Sequence, residues 1–309
     1  MHESLQIVAN ITVLVFVVTC MVTAGLGLGV RDVLAPLRRA RLVLLALLAN
    51  FVLAPALAFA LTQIVSLHRA HAIGLLLLGG AAGAPFLPKL AMLARGDAAF
   101  SVGLMLLLMV GSVLFMPVVL PLMIPGLTPE PWPLLRPLLF SMLLPLAAGM
   151  AVKNRSERWA IRLRPVFELT SNASMILAVA LLLGLNFGAV LGTFGSGAIA
   201  VAIVFVSMML TIGYAFGGPS LDTRSVLGLG TGQRNIAAAL LIATQNFTDP
   251  DIEVMLLVAT LAGVVVLVFA ARFFARRLPS TGETNVLKPP SLTPSVVPTV
   301  MPATQELKP

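Results

Sequence analysis

The chain contains 309 residues, of which 59% are hydrophobic and only 10% are charged, and its formal net charge is +8. So few polar side chains cannot cover a soluble globule of this length, and the composition therefore predicts an all-α polytopic membrane protein surrounded by lipid bilayer. The single cysteine, Cys20, excludes a disulfide framework, and the three histidines show no ligand spacing, so we expect neither a metal centre nor a cofactor. The basic residues lie mostly in short loops, where they indicate topology rather than binding to nucleic acid.

Nine apolar segments reach the roughly 20 residues that a helix needs to cross the hydrocarbon core. They cover 6–29, 41–63, 71–95, 98–124, 133–153, 165–188, 193–217, 221–246 and 251–275. The loops 30–41 and 153–164 and the end of the last segment are rich in Lys and Arg, whereas the loops on the opposite side are poor in both. Because cytoplasmic loops carry the excess of positive charge, this alternation predicts an outside N-terminus and a cytoplasmic C-terminus.

The end of the chain differs in composition from the nine segments. Residues 279–309 are rich in Pro, Ser and Thr and have no apolar periodicity. A segment of this kind cannot bury enough apolar surface to fold by itself. We therefore predict a transmembrane domain over 1–278 and a disordered cytoplasmic tail over 279–309.

The third and eighth segments, 71–95 and 221–246, contain residues that disfavour a continuous helix. These are Gly79, Gly80, Gly83, Pro85 and Pro88 in the third segment, and Gly228, Gly230 and Gly232 in the eighth. Proline removes a backbone donor and clashes with the preceding turn, and glycine raises the entropic cost of helix formation. We therefore expect both segments to unwind at these residues, where the freed backbone groups must be buried in protein or line a cavity. The alternative is that the glycines only let helices pack closely.

Polar residues accompany both breaks. They are Lys89 in the third segment, and Thr231, Gln233, Arg234 and Asn235 in the eighth. The stretches that begin at Gly83 and Gly232 each run from glycine through a polar position and a short Ala- and Leu-rich helix into the next span. Since the two segments run in opposite directions in the predicted topology, they form an inverted repeat. This pattern is typical of secondary transporters with a substrate site at the membrane midplane.

Three stretches of the chain resemble the bile acid:sodium symporter family. They are "LLANFVLAP" (Leu47 to Pro55), "LARGDAAFSV" (Leu93 to Val102) and "GQRNIAAALLIAT" (Gly232 to Thr244), and the similarity extends from Val17 to about Arg277. The resemblance implies a panel domain and a core domain, with two discontinuous helices that cross in the core. It also implies that the protein is a bacterial member located in the cytoplasmic (inner) membrane.

The positions that match the family's sodium ligands are mostly changed, which makes sodium coupling doubtful. Asn50 matches a glutamine and Ser101 a retained hydroxyl, while Leu87 and Pro88 match a Ser-Asn pair, Met105 a threonine, Gly230 a glutamate and Arg234 a glutamine. Sodium, like other hard cations, needs several oxygen ligands. The resemblance therefore implies degenerate sodium sites.

Two cations, Lys89 and Arg234, are predicted to take the place of the lost sodium ions and to attract an anionic substrate. Charged residues inside a membrane are costly and are therefore candidates for function. Arg234 stays protonated, whereas a buried lysine can titrate, which makes Lys89 the candidate for proton coupling. In the alternative interpretation, Lys89 extends to the cytoplasmic interface. Glu168 is expected to form an interfacial ion pair with Arg164, four residues earlier.

The leading hypothesis is a secondary transporter of a small organic anion that works by alternating access and depends weakly or not at all on sodium. A small-solute or metalloid exporter is an alternative, although Cys20 lies in the first span and not at a break. A membrane sensor that binds a ligand without moving it is another. We find no paired carboxylates and no Ser/His arrangement, and so do not expect an enzyme.

Overall fold

The computed structural model describes residues 2–29, 39–124, 126–127, 130–193 and 195–277, and over these ranges every regular element is helical. The helices are α1 (His2–Gly27), α2 (Ala40–Ile64), α3 (Arg69–Gly80), α4 (Leu87–Leu93), α5 (Ala98–Met123), α6 (Pro131–Arg155), α7 (Glu157–Leu185), α8 (Phe187–Thr193), α9 (Ala198–Phe216), α10 (Leu221–Gly232), α11 (Ile236–Asn246) and α12 (Pro250–Arg277). The all-helical membrane fold is thereby confirmed. The predicted tail at 279–309 lies outside the described residues.

Eight of the described segments are long and apolar enough to cross a membrane, and they include α10 and α11 taken together. The third predicted span is divided between α3, which is apolar but short, and α4. The described helices are therefore consistent with the nine predicted spans. The largest difference in bounds concerns the sixth span, because α7 begins at Glu157 and continues the charged loop directly into the membrane.

Three helices, α1, α6 and α7, form one packed group, which we call the panel. The backbones of α1 and α6 touch where Gly25 meets Gly149: a Cβ atom added to Gly149 would lie 2.5 Å from the carbonyl oxygen of Val22. Because only hydrogen occupies this position, the two helices approach more closely than side chains would allow.

The remaining long helices pack around the two interrupted segments and form the core of the molecule. Helix α10 lies along α9, α12 contacts both α3 and α9, and α5 contacts α3 and α4. The segment α10–α11 is the most buried of the candidate spans, with 94% of its apolar window inside the protein. It therefore lies at the centre of the core and contacts lipid hardly at all.

The first interruption lies within the predicted stretch but is shorter, because Gly79 and Gly80 are the last two residues of α3 and Pro88 lies inside α4. Helix α3 ends at Gly80 and α4 begins at Leu87, so Gly83 and Pro85 lie between them. Gly83 has a φ of 78°, and a Cβ atom there would collide with the backbone of Met109 on α5. Pro88 lies in the first turn of α4, where the missing N–H would have no helical partner in any case.

The second interruption falls later than predicted. Gly228, Gly230 and Gly232 all lie within α10, and the chain leaves the helix only at 233–235. The expectation that these glycines mark the unwound region is therefore wrong. Their role is close packing, since a Cβ atom on Gly228 would lie 3.0 Å from the carbonyl oxygen of Leu210 on α9.

Two of the long helices contain a single π-helical turn, at Ala49–Leu53 in α2 and at Leu139–Leu143 in α6. Each turn is followed by a proline at the second position of the next α-helical stretch, Pro55 and Pro145. Proline has no N–H to donate, and a widened turn relieves the clash that it would otherwise cause. In α2 this turn contains Asn50, which is fully buried.

The glycine contact between α1 and α6 yields a stability prediction. Gly149→Ala places a methyl group against the Val22 carbonyl, so we expect it to destabilise the panel by about 1–3 kcal/mol or more. Gly184→Ala in α7 is the matched control, because nothing lies within 4 Å of a Cβ atom there. Thermal unfolding in detergent should show a lower melting temperature for Gly149→Ala but not for Gly184→Ala. Equal melting temperatures would contradict the close contact.

Candidate functional site

The two interrupted segments meet at their breaks. The backbone N–H of Asn235 donates to the carbonyl of Ala81 at 2.9 Å, and its side-chain amide donates to the carbonyl of Gly83 at 3.2 Å. The Asn235 side-chain oxygen also accepts from the backbone of Ala238 at 3.2 Å and thereby caps α11. One asparagine therefore joins the second break to the first.

The guanidinium group of Arg234 lies at the same crossing and is only 7% exposed. Its Nε donates to the carbonyl of Leu78 at 2.8 Å, and Nη2 donates to the carbonyl of Gly79 at 2.6 Å. Both carbonyls belong to the last turn of α3, where the helix dipole favours a positive charge. The Leu78 carbonyl also accepts from the backbone N–H of Ala81 at 3.2 Å. Arg234 therefore closes the end of the broken helix.

The remaining contacts of Arg234 are also to neutral oxygen atoms. Nη1 donates to the side-chain oxygen of Asn50 at 2.9 Å and to the carbonyl of Thr231 at 3.3 Å. The Asn50 amide donates in turn to the Thr231 hydroxyl at 3.2 Å and to the carbonyl of Ala46 at 3.0 Å. Four of the five guanidinium N–H groups are thus directed at the protein, and within the described residues none of their acceptors is a carboxylate.

A serine that the sequence analysis did not single out completes the crossing. The Ser112 hydroxyl on α5 accepts from the backbone N–H of Ala82 at 2.8 Å and lies 3.0 Å from the Ala82 carbonyl, to which it can donate. It therefore satisfies backbone groups that the first break leaves free. The only signal in the sequence is one small polar residue in a long apolar helix.

Hydrocarbon fills the region around Gly230. A Cβ atom on Gly230 would lie 2.9 Å from Leu87 and 3.3 Å from Leu104, and both leucines are fully buried, as is the neighbouring Met105. The retained hydroxyl of Ser101 donates to the carbonyl of Ala98 in its own helix at 2.6 Å. These side chains offer no cluster of oxygen ligands at the positions that the family resemblance assigns to sodium.

Lys89 has different partners from Arg234. Its ammonium group lies 3.0 Å from the carboxylate of Glu168 on α7, and the two side chains are 53% and 37% exposed. The expected pair between Glu168 and Arg164 is therefore replaced by a contact between two helices, while the Arg164 guanidinium lies against Gly27 at the end of α1. This contact could not be predicted from the sequence, because it depends on how α4 is placed beside α7.

Gln233 is the remaining polar residue of the second break, and it is buried. Its side-chain oxygen has no hydrogen-bond partner among the described residues. The structure thus brings Asn50, Thr231, Gln233, Arg234 and Asn235 to one crossing, whereas Lys89 and Ser101 make contacts elsewhere.

Comparison with known families decides the class of this arrangement. Residues 13–193 match the model of the Sodium Bile acid symporter family. The chain belongs to this family. Its members are membrane transporters, so this chain is a multi-pass membrane protein of the transporter class and not of an enzyme class. The match includes the first interrupted segment and Asn50 but ends before α10 and α11, so Arg234 itself lies beyond it. A comparison with curated proteins found no match.

The contacts of Arg234 predict that it is required for stability. Arg234→Gln removes the donors to Leu78 and Gly79. The Leu78 carbonyl keeps a 3.2 Å hydrogen bond from the backbone N–H of Ala81, whereas the buried Gly79 carbonyl loses its donor, which costs about 1–3 kcal/mol. Arg234→Lys should rescue little, because an ammonium group cannot reproduce the forked geometry. Arg158→Gln, on the exposed start of α7, is the matched control. The measurement is thermal unfolding in detergent, and an Arg234→Gln variant as stable as the control would argue against the role.

Proposed function

We propose that this protein is a secondary transporter of a small organic anion that works without sodium, by movement of the core against the panel. The observation that carries the proposal is the Arg234 guanidinium at the crossing of the two interrupted segments. In this interpretation it performs the task of a bound cation. The protein would lie in a bacterial inner membrane, with its N-terminus outside and its C-terminus in the cytoplasm.

The charge of Arg234 supports an anionic substrate. Its partners are three backbone carbonyls and the amide of Asn50, all of them neutral, so the crossing keeps a positive charge at low exposure. An uncompensated charge acts more strongly in a medium of low dielectric constant than it would in water. An anion that enters between panel and core is therefore attracted toward the crossing without having to replace any of Arg234's contacts.

The packing around Gly230 supports independence from sodium. Leu87 and Leu104 lie where a side chain on residue 230 would have to pass, and neither can supply an oxygen ligand. A sodium ion placed there would lose its hydration shell and gain no comparable coordination. The guanidinium group of Arg234 and the two leucines thus both support transport without sodium.

Ion dependence tests this proposal. Purified protein in proteoliposomes should take up members of a panel of radiolabelled carboxylates and sulfonates at the same rate with or without an imposed sodium gradient. Imposing a pH gradient separately tests whether a proton is coupled to transport. Uptake that requires sodium would overturn the proposal. Binding of an anion without exchange across the membrane would favour the sensor hypothesis instead.

A substitution at Asn50 separates the structural role of Arg234 from its electrostatic role. Asn50→Asp keeps an acceptor for the Nη1 donor and neutralises the guanidinium, but it loses the donor to the Ala46 carbonyl. We therefore expect a somewhat lower melting temperature, while anion uptake by the folded protein falls about tenfold or more. Asn50→Leu is the control, since it removes the acceptor and keeps the charge. Its main effect should be a lower melting temperature. The protein that remains folded should lose little of its anion uptake. Undiminished uptake by the aspartate variant would contradict the electrostatic role.

A further inference from the structure

The ion pair between Lys89 and Glu168 links the core to the panel. Lys89 lies in the first turn of α4, next to the first break, and Glu168 lies eleven residues beyond the start of α7, about 16 Å along that helix. Both side chains are nevertheless partly exposed, at 53% and 37%. Because both groups are charged, their exposed atoms face water and not lipid. We call the exposed surface around this pair, between α4 and α7, the crevice.

A polar side chain extends this site along α7. Asn172 lies one helical turn beyond Glu168 on the same face and is exposed, and its side chain makes no hydrogen bond within the described part of the chain. Ser171, the residue before it, is buried. The crevice thus presents an ammonium group, a carboxylate and an amide in sequence.

We propose that Lys89 binds the carboxylate or sulfonate group of the transported anion, and that Glu168 occupies this position when the carrier is empty. The inference rests on the proposed function and adds to it the place at which the charged end of the substrate is held. Arg234 is unsuited to that task because four of its five N–H groups are directed at the protein. The carboxylate that pairs with Lys89 is exposed, and an anion in the crevice can replace it.

The role of Glu168 follows from the charge of the empty site. In the empty carrier, the Glu168 carboxylate neutralises the Lys89 ammonium. In the loaded carrier, the substrate anion neutralises Lys89, and the released Glu168 carboxylate faces the water of the crevice. Without Glu168 the empty carrier would have to move a bare ammonium through the closed state, which is costly. Arg164, one turn before Glu168, lies against the end of α1 and does not replace it.

Transport with and without an empty return step tests the inference. In proteoliposomes, Glu168→Gln should still exchange radiolabelled benzoate or taurocholate for the same anion on the other side. During exchange the carrier holds an anion on both its outward and its inward movement, so it never moves empty. Net uptake into empty vesicles should fall about tenfold or more, because the carrier must return empty. The double variant Lys89→Gln/Glu168→Gln should recover net uptake relative to Glu168→Gln, with weaker binding of the anion.

The matched control is Glu157→Gln, which removes an exposed ion pair with Lys153 at 2.6 Å outside the crevice. It should change neither exchange nor net uptake. Equal loss of exchange and net uptake in Glu168→Gln would overturn the inference and leave the proposed function standing.

A binding measurement decides the inference independently of transport. Equilibrium dialysis of the detergent-purified protein with radiolabelled benzoate should show binding that is about two- to fivefold tighter in Glu168→Gln, which lacks the internal competitor, than in the native protein. Binding to Lys89→Gln should be weaker by about tenfold. A native protein that moves no anion would contradict the proposed function, whereas equal affinities in the three proteins, or no binding by any of them, would overturn the inference.

Discussion

A membrane protein that interrupts a helix must supply partners for the carbonyl groups at its end, and here a single guanidinium group supplies them. Arg234 binds the carbonyls of Leu78 and Gly79, and Asn50 holds it from the other side. Three features of the core are linked to this interaction. They are the π-helical turn that contains Asn50, the crossing of the two interrupted segments and the close packing of α10 on α9. Because the partners are neutral, the interaction that closes the helix also leaves a positive charge at the centre of the core.

The crossing could be predicted from the sequence to the extent that it depends on local chemistry. Proline and glycine between Gly79 and Pro88 indicated the first break correctly, since their backbone preferences act wherever they occur. The glycines of α10 were misread because glycine serves both unwinding and close packing, and only the neighbouring helix decides between them. Gly228 packs against α9, so its segment remains helical.

The partner of Lys89 could not be predicted, for a reason that applies to any pair between distant segments. Glu168 and Arg164 lie four residues apart on one helix. A sequence reveals such spacing along one helix, but it does not reveal contacts between different helices. The actual pair joins α4 to α7 across the interface between core and panel, and it requires the relative position of two helices separated by 79 residues. For the same reason Ser112 was overlooked, although it satisfies the backbone of the first break.

The leucine that packs on Gly230 has an energetic consequence for the whole transport cycle. An exchangeable ion brings the free energy of its gradient to the substrate, whereas a side chain cannot leave the protein and brings none. Under the proposed function, a carrier that binds no ion moves its anion down the electrochemical gradient of the anion alone. A membrane potential of 100 mV, negative inside, is worth about 2.3 kcal/mol per charge, or roughly fifty-fold in concentration. That force is directed outward for an anion, so the leucine would turn an accumulating symporter into a route of release.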